Sequence, residues 1–241
     1  TTAEDKGDHY LLNGTKNWIT NGNSASVYLV IAQTDVSKGS HGINAFIVEK
    51  NLPGVTVGAK ENKLGIRGSD THSILFTDVK IPKENRIGDD GFGFKFAMKT
   101  LAGGRIGIAS QALGIASGAY ERALAYSKQR KAFGKEIMNH QIIQFKLADM
   151  ATKIECARLL CLKAAWEKDQ HLDYTVSSSM AKVYASETAM WTTTEAVQIH
   201  GGYGFVKEYH VERLMRDAKI TQIYEGTSEV QRIVIGRAIL K

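Results

Sequence analysis

The sequence predicts an α+β protein: an antiparallel β domain, sandwich or barrel, followed by a C-terminal bundle of four helices. Three observations predict it. Up to about residue 85, short apolar runs are separated by closely spaced turn signals, as in all-β domains. Near Pro82 the apolar period changes from 2 to 3.6, and the only two prolines, Pro53 and Pro82, interrupt nothing that follows. Beyond that point Ile143, Leu147, Met150, Ile154, Ala157 and Cys161 recur at alternating spacings of four and three, a buried helical stripe. The expected division is residues 1–85, a β domain, and residues 86–241, a helical domain.

The β elements follow in order. His9–Leu12 is a short strand, Asn13-Gly14 a hairpin signal, and Trp18-Ile19-Thr20 the return strand ended by Asn21-Gly22. Ser26–Gln33 and Ile43–Val48 are apolar runs of buried-strand type. Pro53-Gly54 turns the chain into Val55–Val57, and Ser73–Val79 closes the set. Asp89-Asp90-Gly91 reads as a turn, without the ligand spacing of a calcium loop.

The helices follow. Phe92–Arg130 reads as one long helix despite glycines at 103, 104, 107, 114 and 118. Each costs about 1 kcal/mol against alanine, so tertiary packing must hold the helix, and the glycines admit a close neighbour or ligand. Further helices are expected at His140–Trp166, Tyr174–His200, Val211–Asp217 and from Ser228. Short connections between long helices argue a bundle.

Composition narrows the function classes. The chain has 241 residues, 43% of them hydrophobic, and a net charge of +6. No basic block interleaved with aromatics suggests nucleic acid. No apolar run reaches the roughly 18 residues of a membrane span. Cys156 and Cys161 point about 140° apart on one helix and do not pair, which suits a reducing compartment. The seven histidines show no metal-ligand spacing.

One stretch carries candidate chemistry, Ile220–Arg232 (ITQIYEGTSEVQR). Glu225 precedes Gly226, which lets backbone approach a ligand closely, and Thr227 or Ser228 is a good N-cap for the helix beyond. Bulky Ile223 and Tyr224 favour a partly desolvated carboxylate, whose raised pKa suits a general base. The plain alternative is a surface glutamate before a helix. Gly201-Gly202-Tyr203-Gly204 lacks the third glycine of a dinucleotide loop and follows a helix, so it reads as a C-cap and turn. Arg130–Gly134 (RKAFG) is a basic helix end or a phosphate contact.

Together these segments resemble the acyl-CoA dehydrogenase family, nearest to its short-chain, butyryl-CoA type. LNGTKNWITNG (Leu12–Gly22), KLGIRGSDT (Lys63–Thr71), GRIGIASQALGIA (Gly104–Ala116), RKAFGKEI (Arg130–Ile137), HQIIQFKLADM (His140–Met150), QIHGGYGF (Gln198–Phe205) and IYEGTSEVQR (Ile223–Arg232) stand in the family's order. The resemblance implies an FAD enzyme that dehydrogenates short-chain acyl-CoA to trans-2-enoyl-CoA. It passes its electrons to an electron-transfer flavoprotein and assembles as a homotetramer, a dimer of dimers. The compartment implied is the cytoplasm in a bacterium and the mitochondrial matrix in a eukaryote. Nucleic acid, membrane and metal are not among the implied ligands.

The residue roles are likewise implied. Glu225 matches the catalytic base and Gly226 the residue beside the thioester. Trp18, Ile19 and Thr20 match the strand lining the flavin ring, and Thr227, Ser228 and Glu229 a second flavin-contacting segment. Arg130, Gln141, Gln198, Ile199, His200, Gly201 and Gly202 match the segments that hold the FAD pyrophosphate and adenosine across a subunit interface. Ala102, Gly103, Gly104 and Arg105 match a segment contacting the CoA portion.

Two departures matter. Ala102 stands where the family usually has an acidic residue. Members that carry the base on the bundle helix place it at the position of Gly104, which supplies none; this leaves Glu225 and favours straight-chain, short or medium substrates. The family's first helical domain has no counterpart here, so the chain is expected to be a fragment, inactive on its own. Other readings are an acyl-CoA oxidase-like flavoprotein and a non-catalytic oligomerisation module.

Overall fold

The computed structural model describes residues 1–240. The strands β1 (Thr2–Asp5), β2 (His9–Thr20), β3 (Val27–Gln33), β4 (Ile43–Glu49), β5 (Val55–Lys60), β6 (Thr71–Pro82) and β7 (Arg86–Ile87) form one sheet in the order β5-β6-β2-β1-β3-β4-β7. All pairings are antiparallel except β1 with β3, which meet in parallel at Thr2 and Gln33. Beyond the sheet the chain is mainly helical: α1 (Gly93–Gln129), then a short β-hairpin of strands β8 (Lys131–Ala132) and β9 (Lys135–Glu136), then α2 (Gln141–Asp169), α3 (Thr175–His200), α4 (Val211–Ile220) and α5 (Ser228–Ile239).

The chain forms two compact units. The first comprises Thr1–Lys63 and Arg67–Thr100, the second Leu64–Ile66 and everything from Leu101.

In the first unit Leu12, Phe46, Val48, Val79 and Ile81 are fully buried, with the Tyr10 and Phe46 rings edge-on at 4.9 Å. Strand β3 alternates rather than being buried throughout. Tyr28, Val30 and Ala32 face this core, while Val27 and Leu29 lie on the exposed face.

Asn13-Gly14 is not a hairpin turn. Strand β2 runs through it, and the register against β6 slips between Leu12 and Gly14, as at a β-bulge. The hairpin signal failed because the Asn13 side chain bonds across the ladder, its Nδ2 donating to Asp78 Oδ1 at 3.0 Å and its Oδ1 accepting from Asp78 N at 2.8 Å. The actual turn precedes it, at Lys6–Asp8, where Gly7 has φ +95° and joins β1 to β2. A second slip, between Lys16 and Ile19, contains Trp18 at φ +60°.

In the second unit the core is a seam of small residues. Ala109, Ala112 and Ala116 of α1 meet Ala157, Cys161 and Ala164 of α2 and Ala181, Ala185 and Ala189 of α3. Toward the other end Ala119, Ala123, Leu147, Met150, Ala196 and Val211 continue it. The predicted α2 stripe is this face, and both cysteines are free, Cys156 exposed and Cys161 buried. Leu64–Ile66 dock on α4: Ile66 N–H donates to Asp217 Oδ1 at 2.6 Å and Arg216 Nη1 to the Leu64 carbonyl at 2.9 Å.

Candidate active site

The turn between α4 and α5 takes its shape from the sequence Glu225-Gly226-Thr227. Glu225 adopts φ +54° and Gly226 φ +88°, two successive left-handed residues. Glycine fits there without strain, whereas glutamate must be held. The holding groups are buried. Gln231, with no accessible surface, donates from Nε2 to the Glu225 and Gly226 carbonyls, each at 3.0 Å. Lys182 of α3, equally sealed, donates from Nζ to the Gly226 carbonyl at 2.7 Å. Of the two candidate caps Thr227 is the one used, its hydroxyl accepting from Val230 N at 3.3 Å. Tyr224 donates its hydroxyl proton to Gln111 of α1.

The Glu225 side chain is half-buried and lies against α1 at Gly104. A methyl group at Gly104 would come within 2.5 Å of Oε2. Of the five glycines singled out in α1, this is the one whose missing side chain makes room for another group. Gly107 and Gly114 have nothing near them. Arg105, the next residue, is buried, with Nη1 3.3 Å from Ser179 Oγ and Nε without a partner. Burial disfavours its charge and the Glu225 carboxylate favours it. Burial also pulls the Lys182 ammonium from 10.5 to about 8, opposed by attraction to Glu225 and Glu229. One carboxylate therefore faces two buried cations. Arg105 was named from the sequence; Lys182 and Gln231 were not, because nothing in a helical AKV or EVQR distinguishes a buried polar residue from a surface one.

Thr227, Ser228 and Glu229 open α5, and Ser228 Oγ is buried without a partner. At the far end of α3, Gly201 caps the helix at φ +60°, as the glycine run predicts. Gln198, Gly201 and Gly202 are exposed, whereas Ile199 and His200 are buried. The His200 ring stacks on Tyr126 at 4.2 Å. Arg130 stands 5.4 Å over the Tyr203 ring, which joins RKAFG to GGYG. The RKAFG segment is a tight hairpin, β8–β9, with Phe133 at φ +52° and Gly134 at φ +80°, rather than a plain helix end. Gln141 opens α2 and is exposed. Ala102 and Gly103 precede Gly104 on α1, Ala102 buried.

In the first unit Trp18 is 72% exposed, an aromatic ring left uncovered at a bulge, with Ile19 half-buried and Thr20 exposed beside it. The turn that follows is tied down by Asp70, which accepts from Asn23 N at 3.0 Å and Ser24 Oγ at 2.9 Å. Each unit by itself carries groups of a kind that FAD takes: in the first an exposed indole for a flat ring, and in the second an arginine over an exposed tyrosine for a phosphate and an orphaned buried serine hydroxyl at a helix start.

Two family models match the chain: "acyl-CoA dehydrogenase, middle domain" over residues 1–79 and "acyl-CoA dehydrogenase, C-terminal domain" over residues 91–240. The chain is 57% identical over 240 residues to the short-chain specific acyl-CoA dehydrogenase of Megasphaera elsdenii, covering 100% of this chain and 62% of that one. It is similar to the solved structure of butyryl-CoA dehydrogenase from Megasphaera elsdenii, with TM-score 0.98 and 57% identity over 100% of this chain and 63% of that chain. A chain in the solved structure described as the electron transferring flavoprotein of Acidaminococcus fermentans matches with TM-score 0.98 and 55% identity, again over 100% and 63%. The chain thus spans a little under two thirds of the length of the curated relatives it matches.

Proposed function

The chain belongs to the acyl-CoA dehydrogenase family, and from that premise we propose that the whole protein is an FAD-dependent dehydrogenase of short-chain acyl-CoA, with Glu225 as its base. The observation that carries the reading is the Glu225 carboxylate lying over Gly104. The opening at Gly104 and the clamped turn give one carboxylate a fixed direction, as proton abstraction requires.

Glu225 Oε would take the proton from the α-carbon of the thioester. Hydrogen-bond donors at the Glu225–Gly226 turn would meet the thioester oxygen as negative charge develops on it. Bound FAD supplies the acceptor for the β-hydrogen and its electron pair. Trp18, Ile19 and Thr20 would line the flavin ring, with Thr227, Ser228 and Glu229 as a second contact. Arg130, Gln141 and Gln198–Gly202 would hold the pyrophosphate and adenosine at a subunit boundary, and Ala102–Arg105 would meet the CoA portion. The electrons would pass to an electron-transfer flavoprotein and the assembly would be a homotetramer. We place the enzyme in the cytoplasm of a bacterium or the matrix of a mitochondrion.

The test is E225Q in the full-length protein, which keeps shape and removes the base. It should still bind FAD and butyryl-CoA, while anaerobic bleaching of the flavin slows by about 10²-fold or more. Bleaching at the wild-type rate would refute the assignment.

A further inference from the structure

Lys182 sits in the middle of α3 with 0% exposure, among the small side chains of the bundle core. A buried ammonium is expensive unless something compensates it. Its close partner is the neutral Gly226 carbonyl, 2.7 Å away. That carbonyl already accepts a hydrogen bond from Gln231 Nε2 at 3.0 Å, so it would not be orphaned without the lysine. An uncharged side chain of similar length would satisfy packing at less cost. What the charge faces is therefore informative: Glu225 on the turn, Glu229 on α5 and Arg105 on α1. Glu225 and Gly226, the residues at the tip of this lysine, are the two in left-handed conformation.

We propose that Lys182 is a positioning residue for Glu225: its ammonium, clamped on the Gly226 carbonyl, locks the left-handed Glu225–Gly226 turn and sets a fixed positive field behind the Glu225 carboxylate. The Gln231 amide secures the same turn without charge, and Lys182 adds the field. This rests on the reading of Glu225 as the base. The amine titrates near 8 in the folded protein, so the clamp weakens as Lys182 loses its proton above that pH, leaving Glu225, Glu229 and Arg105 as the charged groups around it.

The test uses the full-length, flavin-loaded enzyme and its K182M and K182Q variants. Thermal unfolding, amide hydrogen exchange at residues 224–228 without substrate, and steady-state kinetics with butyryl-CoA and an artificial acceptor are measured. The kinetics run from about pH 6 to about pH 9.5. K182M should unfold at or above the wild-type temperature, keep KM within about twofold, and lose kcat by about 10- to 100-fold, the scale of a misplaced reacting group. Exchange at 224–228 should quicken. The wild-type kcat should fall with an inflection near 8 that both variants lack. K182Q, which keeps a donor without charge, should recover amide protection but not kcat. Unchanged kcat and unchanged exchange in K182M would overturn the proposal. So would a loss of activity that only tracks a lowered unfolding temperature while the alkaline inflection persists. A wild type that butyryl-CoA does not bleach would overturn the dehydrogenase reading instead, and the exchange data alone would then decide the clamp.

Discussion

Gly104 and Glu225 occupy one space: a Cβ at Gly104 would stand 2.5 Å from Oε2 of Glu225 and 3.0 Å from its Cδ. Helix and carboxylate are fitted to each other at a position with no side chain. G104A should therefore displace the carboxylate. Alanine gains about 1 kcal/mol of helix propensity over glycine, which offsets the crowding, so thermal unfolding should change little. The bleaching rate of the flavin by butyryl-CoA should nevertheless drop by about tenfold or more. A large loss of stability with normal turnover would contradict this.

Lys182 gives a stability signature with a definite sign. Its amine is pulled from 10.5 in the unfolded chain to about 8 in the native protein. Below 8 both states hold the proton and the full cost of the buried charge is present, roughly 3 kcal/mol at 1.36 kcal/mol per pH unit. Between 8 and 10.5 the unfolded chain binds more protons, so this cost is relieved as pH rises. K182M should thus gain stability relative to wild type at about pH 7 and lose that advantage toward about pH 10, as read by denaturant unfolding at several pH values.

Asp217 anchors Leu64–Ile66, and Ile66 is a β-branched residue at φ +49°. Such a conformation persists only while its surroundings impose it. D217A removes the acceptor of the Ile66 N–H and should cost about 1–3 kcal/mol. D217N, which keeps an oxygen, should cost less. Limited proteolysis near residues 64–67 should be faster in D217A.

Asp70 makes the turn after Trp18–Thr20 sensitive to acid. The Asn23 N–H and then the Ser24 hydroxyl hold its carboxyl below the ordinary 3.8. The stabilisation is complete above 3.8 and disappears as pH falls through the depressed native value. In D70N that acid-dependent component should be absent. The measurement is amide exchange at Asn23 from about pH 5 down to about pH 2, where wild type should lose protection below 3.8 and D70N should show no such step.

The helical half was largely legible in the sequence. Its apolar spacings repeat over many turns, and His140–Trp166 and Tyr174–His200 lie within a few residues of α2 and α3. The sheet was legible as a set of strands and not in its connections. Asn13-Gly14 has hairpin chemistry, yet a partner 65 residues away, Asp78, decides its conformation. Strand β1 is short and polar outside Ala3, too brief to show a period. At the candidate site Glu225, Gly226 and Thr227 stood out locally. Lys182 and Gln231 did not, since their burial is a property of the assembled helices rather than of the residues beside them.

The alanine seam between α1, α2 and α3 sets how much freedom each half of the chain has to change. In the sheet, Leu12, Phe46, Val48, Ile74 and Ile81 can trade volume with one another, since large side chains compensate across a core. In the seam the buried residues of α1 and α3 are alanines, already the smallest side chains short of glycine, so compensation for a larger one has to come from the few bulkier neighbours such as Ile154 of α2. A methylene added at Ala112 or Ala185 has to displace one of those side chains or move a helix axis. Libraries built on this scaffold should recover hydrophobic diversity in the sheet and much less along the seam.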